Sequence, residues 1–314
     1  SREEALMDQG KFGAWAGPRM ALDSWGEVLE VLGSAKLPVP GPVQKLLRGR
    51  ALIGTGKADE GRGLCREACL EAKAKPGELA ELLALLGSLR EPELFEEELG
   101  KGFADAGAAE AVLKAVVPVV RRSRDANVLH RLYELAVASP VLGKDPEVRA
   151  RLSHYGMMIG KREPVAELAA RLDESPLAPG PRVTYVLGLV EDGKVEQAMR
   201  ELEIRKPPLE ESRLEPFQAA VIAGVLAGSG HGQEAAAMAG RLPVALLTKQ
   251  EAEWLGEQLE KSGLFKKVEE PGVVAEVEAS GWQRSLARYG FDLLLVAGVY
   301  VLWVIWQKFI RKSA

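Results

Sequence analysis

The stretch YVLGLVEDGKVEQAMRELE, Tyr185 to Glu203, decides how the rest of the chain reads. It is an apolar run, a turn at Asp192-Gly193-Lys194, and a second, amphipathic run. On the first limb Tyr185, Leu187, Leu189 and Val190 are apolar. On the second Val195, Ala198, Met199 and Leu202 fall at i, i+3, i+4 and i+7, the helical period rather than the alternation of a strand. Two short helices therefore meet at a glycine turn. So small a hairpin cannot bury both apolar faces alone, and needs neighbours of its own kind.

Such neighbours recur at a nearly fixed period. The turn returns as Gly56-Lys57-Ala58-Asp59-Glu60-Gly61, Gly160-Lys161-Arg162-Glu163 and Gly230-His231-Gly232-Gln233-Glu234-Ala235. In each, glycine ends one helix in the left-handed conformation, and at the turns of Gly56, Gly193 and Gly230 a small residue five positions on lets the next helix approach closely. The glycines at 160, 193 and 230 are about 33 and 37 residues apart, and 56 to 160 is roughly three periods of about 34. The intervening turns then fall near 90 and 125. There Arg90-Glu91-Pro92-Glu93 and Arg124-Asp125-Ala126-Asn127 stand between apolar runs, with residues that break or start helices.

A helix-turn-helix unit of about 34 residues, with a small residue in the first helix, Gly at the turn and Ala five residues later, resembles the tetratricopeptide repeat. Ala223, Leu226, Gly230 and Ala235 keep that spacing, as do Gly49, Leu52, Gly56 and Gly61 with Cys65 and Ala68 beyond. The resemblance covers roughly residues 40 to 262. It implies an all-α fold, a right-handed solenoid of about six to seven helical hairpins, whose concave surface binds a protein or peptide partner. On that reading residues 1–41 are N-terminal capping helices, with Trp15 and Trp25 closing the end of the core, and 42–262 are the solenoid. Residues 263–281 are a linker, and 282–314 a transmembrane helix with basic flanks. Helix order places Arg48, Leu52, His154, Tyr155, Tyr185 and Leu226 on first helices, as candidates for an inner, partner-binding groove. A Tyr or His there packs into a core as readily as it meets a ligand. Members of the family that clamp a carboxylate use Lys, Arg and Asn; Asn127 is the single asparagine, which argues against such a clamp.

The C-terminal segment reads differently. From Leu293 to Trp306, LLLVAGVYVLWVIW, no side chain is charged. At 1.5 Å per residue these residues span about 21 Å, and Tyr289 to Ile310 about 33 Å, close to the hydrocarbon thickness of a bilayer. Tyr289, Trp303 and Trp306 suit the interface, and Arg288 and Lys308 can extend outward from it. The expected anchor residues are Leu293, Val296, Val299, Leu302, Trp303 and Trp306. Lys308, Arg311 and Lys312 follow the span and Arg284 and Arg288 precede it, a near balance that leaves orientation open, with a lean toward a cytoplasmic solenoid.

Composition fits a folded protein: 47% of residues are hydrophobic and 27% charged. The formal charge of −4 is uneven. From Trp282 onward it is about +4, leaving about −8 before it, so the body is mildly acidic and unsuited to nucleic acid. Cys65 and Cys69, one helical turn apart, read as buried apolar side chains and not as a disulfide or zinc pair. The glycine-rich runs GTGKADEG (Gly54–Gly61) and GSGHG (Gly228–Gly232) are hairpin turns, since neither carries the Lys-Ser/Thr of a phosphate loop. His130, His154 and His231 lie in different repeats and outside any metal motif, and no nucleophile elbow is present. The expectation is a protein that is not an enzyme, needs no cofactor or metal, and recruits a protein or peptide at a membrane. The alternative is the regulatory or interaction domain of a multi-pass membrane enzyme or transporter, for which the Ser1 start leaves room. Carbonate washing of membranes tests the anchor: the intact chain should stay in the pellet, and its release would mean the last helix does not span.

Overall fold

A computed structural model describes residues 24–33, 41–88, 91–175, 178–204 and 214–263. Among the described residues the chain is all-helical, with fourteen α-helices, two short 3-10 turns and no strand. The helices are α1 Trp25–Leu32, α2 Gly41–Gly54, α3 Ala58–Ala72, α4 Pro76–Ser88, α5 Pro92–Ala104, α6 Ala109–Arg121 and α7 Ala126–Val137. After a 3-10 turn at Leu142–Lys144 come α8 Pro146–Met158, α9 Val165–Glu174, α10 Pro179–Glu191, α11 Val195–Ile204, α12 Pro216–Gly228, α13 Gly232–Arg241 and α14 Lys249–Lys261. From α2 onward they alternate as first and second limbs of hairpins.

The turns are as the glycine spacing implies. Gly56, Gly160, Gly193 and Gly230 all have φ between 75° and 88°, the left-handed region open to glycine at little cost. Gly263, just past α14, has φ 74°, the same backbone state. At the 124 turn the same backbone state is held by a non-glycine residue, Arg124, at φ 54°.

A second ladder runs in register with the glycines. Pro42, Pro146, Pro179 and Pro216 each open a first helix and each stand 14 residues before the turn glycine that closes it. Proline is suited to the first turn because its missing N–H has no helical partner there, and its fixed φ is already helical. The sequence thus sets both ends of these first helices.

Adjacent first helices lie side by side: α4 on α6, α8 on α10, α10 on α12, and α12 on α14. The second helices flank them. One apolar core runs from Trp25 to Tyr155 and another from Leu168 to Leu259. In the latter, every residue of α10 from Gly180 to Val190 is buried, as are Phe217, Gln218 and Ala220 to Ala227 of α12. A helix buried on all faces must be surrounded by other helices, and α10 touches α8, α9, α11 and α12. α14 packs on α12 and also reaches back to α7 and α8. At the other end Trp25 of α1 packs on α2, with the Arg50 guanidinium 4.4 Å from its ring centre.

Residues 1–23, including Trp15, and residues 264–314, including Leu293, Val296, Val299, Leu302, Trp303 and Trp306, lie outside the described residues. Among the described residues no helix is long and apolar enough to cross a membrane.

Close approach of α2 and α3 depends on glycine. A Cβ on Gly49 would stand 2.6 Å from the Gly61 carbonyl oxygen and 2.6 Å from Cys65 Sγ, too near for either to remain. Gly63, two residues beyond Gly61 along α3 and so on its opposite face, has open space around its Cβ position. Gly49→Val should therefore cost about 1–3 kcal/mol through overpacking, whereas Gly63→Ala should be neutral or stabilising by up to about 1 kcal/mol. Thermal unfolding followed by circular dichroism distinguishes the two.

Candidate functional site

The start of a helix carries backbone N–H groups without intrahelical partners and a partial positive charge. The starts of α8, α10 and α12 gather at one open cleft of about 320 Å³. Its polar lining is Tyr133, Asp145, Glu147, Arg151, Glu215 and Gln218, and Leu113, Val148 and Pro179 complete it. Each carboxylate there is tied to a helix start. Asp145 is the N-cap of α8 and accepts from the Glu147 N–H at 2.8 Å. Glu147, on α8, reaches across to accept from the Gly180 N–H of α10 at 3.0 Å. It can do so because residue 180 is glycine, since a Cβ there would fall on the carboxylate. Glu215 is the N-cap of α12, and its own N–H donates to Gln218 Oε1 at 2.9 Å.

These carboxylates differ in how their charge is balanced. Glu215 is paired with Arg151 and accepts from Arg121 Nη1 at 3.3 Å. Burial alone would raise its carboxyl, but Arg151 and then Arg121 outweigh that and hold it below the usual range. The Arg151 guanidinium is packed over Phe217, 4.1 Å from the ring centre, where cation–π attraction adds to the ion pair. Glu147 is the opposite case. Burial raises its carboxyl, and the Gly180 N–H and the more distant Arg151 only partly oppose this. It is a half-buried negative charge, and among the described residues no cation is bound to it directly.

Behind the cleft, Tyr133 stacks on Tyr155, ring centres 5.7 Å apart. Tyr155 and Phe217 in turn each meet His154 edge to face. His154 is fully buried, and its Nε2 lies 2.8 Å from Glu251 Oε1 of α14. The other carboxylate oxygen of Glu251 accepts from the Thr248 N–H at 2.7 Å, in a capping box that starts α14. His154 Nδ1 has no hydrogen-bond partner. With Nδ1 unpartnered, this geometry suits a neutral imidazole that carries its proton on Nε2 and donates it to the Glu251 carboxylate. Burial pushes its pKa below the ordinary histidine value, and Glu251 only partly counters this.

Of the residues read as groove candidates, Arg48 is exposed on α2 and Leu52 is buried on the same helix. His154 and Tyr155 are buried together under Phe217, and Tyr185 and Leu226 belong to the second core. The structure brings His154 against Tyr155, sets Tyr185 and Leu226 in one apolar core, and leaves Arg48 and Leu52 together on α2. The cleft residues are not among the site candidates read from the sequence. Their signal was Asp145-Pro146 and Glu215-Pro216, an acidic cap followed by proline at the start of two first helices. Cys65 and Cys69 are buried, and burial pushes their thiols up to about 11 and about 12, which leaves them protonated and inert. Among the described residues no group of three or more His, Cys, Asp or Glu is placed to hold a metal ion. The chain matches no protein-family model, no curated protein and no solved structure.

Two substitutions in the cleft should act with opposite sign. Glu215→Gln leaves the buried Arg151 uncompensated and should cost about 2 kcal/mol, lowering Tm by about 4–8 °C at pH 7. Because the folded pKa of Glu215 lies below its unfolded value, that loss should shrink as pH falls through the carboxylate range. Glu147→Gln keeps an acceptor for Gly180 and removes a charge the fold disfavours, so it should raise Tm at pH 7. The folded pKa of Glu147 lies above its unfolded value, so this gain should vanish below about pH 4.3, where the unfolded carboxyl is protonated too. Tm measured against pH for both variants checks the pair.

Proposed function

We propose that the chain is a tetratricopeptide-like, right-handed helical solenoid, held at a membrane by its C-terminal helix, which works by binding a protein or peptide partner. The observation that carries this reading is the cleft at the starts of α8, α10 and α12, and Glu147 within it. Desolvating a carboxylate without a direct cation is unfavourable, and such groups concentrate where a ligand completes the pairing. The lining holds three carboxylates against one guanidinium, so the chemistry it suits is a partner segment with a basic side chain. Tyr133, Leu113 and Val148 offer apolar contact to the stem of that side chain. Anchoring raises the local concentration of chain and partner at the bilayer, so a modest affinity suffices.

Crosslinking from native membranes tests the reading, comparing the intact chain, the chain truncated after Ser280, and Glu147→Gln in the intact chain. Partners retained by the truncated chain and reduced at least several-fold by Glu147→Gln are the expected result. Loss of every partner on truncation would make the C-terminal helix the assembly surface. Undiminished capture by Glu147→Gln would remove the cleft from the account. Because Glu147→Gln should be more stable than the native chain, a fall in capture cannot be put down to unfolding.

A further inference from the structure

The contact of α14 with α7 and α8 is made in a way that suggests release. Toward α12, α14 presents Leu255, Leu259 and Trp254, whose indole N–H also donates to Glu191 at 2.7 Å. Toward α7 and α8 the bonds are polar. The Lys249 N–H donates to the Arg124 carbonyl at 2.8 Å, and Arg124 donates to the Leu247 carbonyl at 3.0 Å and the Val244 carbonyl at 3.2 Å. Gln250 accepts from the Ala126 N–H at 3.1 Å and donates to Asp125 at 3.2 Å. The buried His154–Glu251 bond completes the set. Arg124 gives this contact its cost and its purpose: a non-glycine residue in the left-handed region is strained by roughly 1–2 kcal/mol, and the guanidinium that glycine lacks is what holds the approach to α14.

We propose that α14 is a releasable clasp on α7 and α8, opened when His154 takes up a proton. The argument concerns the surroundings of the imidazole. From α8 it faces Arg151 and Tyr155, from α6 Arg121, from α12 Phe217 with Glu215 beyond the two arginines, from α7 Tyr133 behind Tyr155, and from α14 Glu251. Glu251 alone among its direct neighbours favours an imidazolium. Two guanidinium groups oppose it, and a proton on Nδ1 would have no acceptor in a site closed to water. With α14 lifted, both ring nitrogens and Glu251 meet water. The proton therefore binds the open form, and acid favours opening. Opening uncovers the Arg124 turn, the start of α7 and the inner face of α8. This inference is independent of the cleft reading.

Hydrogen exchange on the full chain in detergent micelles, at pH 7.5 and 5.5 and corrected for intrinsic rates, reads the clasp directly. An ordinary histidine pKa of about 6.5 in the open form, with the closed form unprotonated, raises the opening constant about tenfold across this interval. That rise should appear at Lys249 to Lys261 and at Ala126, with α2 and α3 unchanged. His154→Gln keeps a donor to Glu251 without titrating, and should show no rise. Arg124→Ala should lower protection of α14 at both pH values while keeping the tenfold dependence. No rise in the native chain, an equal rise in α2 and α3, or a tenfold rise in His154→Gln would each overturn the proposal. If His154→Gln does not fold, Arg124→Ala decides: loss of protection confined to α14 and Ala126 sustains the clasp, and loss shared with α2 and α3 refutes it.

Discussion

The N–H groups at the start of a helix have no partner inside it, and a helix surrounded by other helices cannot turn to water for one. α10 and α12 are such helices, buried along nearly their whole length. That burial follows from the hairpin unit itself, whose apolar faces can be covered only by neighbouring units. The polar groups nearest these two helices then gather where first helices begin. Proline removes one of the unpaired donors at each of these starts. Carboxylates from the same or the preceding first helix take up others: Asp145 on α8, Glu147 reaching from α8 to α10, Glu215 on α12. The arginines Arg121 and Arg151 are present because a capping carboxylate that close to the core needs a counter-charge.

The repeat was legible in the sequence because it depends on local chemistry. A left-handed turn asks for glycine, and Gly56, Gly160, Gly193 and Gly230 answer wherever nothing else is required of the position. The exception was also visible, as a turn near 125 without glycine, but its reason was not. Arg124 occupies that turn to contact the carbonyls of Val244 and Leu247, about 120 residues away along the chain. No local pattern encodes such a partner.

The site was much less legible, for the same reason. Helix order assigns a residue to a first helix, and first helices in an open solenoid line a concave surface. His154 and Tyr155 are on a first helix, yet they are buried, because α12 brings Phe217 against His154, Tyr133 of α7 stacks on Tyr155, and α14 returns to α8. Whether a first-helix side chain is groove or core depends on how tightly successive hairpins wind. That winding is the sum of small packing choices, such as the glycine at 180 or the pair Gly49 and Gly61, and cannot be read from any one repeat. The cleft residues escaped for the complementary reason: an acidic residue beside a helix start is common chemistry, and only the side-by-side placement of α8, α10 and α12 makes Asp145, Glu147 and Glu215 neighbours.

Capping alone does not account for all of the cleft. A cap is satisfied by a neutral acceptor as well as by a charged one, so Gln at 147 would serve the Gly180 N–H without the desolvation that the carboxylate suffers. Glu215 has its arginines and gains from being ionised; Glu147 has no such partner and is disfavoured by its charge. A fold shaped for stability alone would not keep that charge at the edge of an open cleft. The difference between two carboxylates on one surface, one compensated from within the chain and one not, marks where compensation from outside would be felt most strongly. That imbalance, and not the capping itself, is what sets Glu147 apart from the other carboxylates of the cleft.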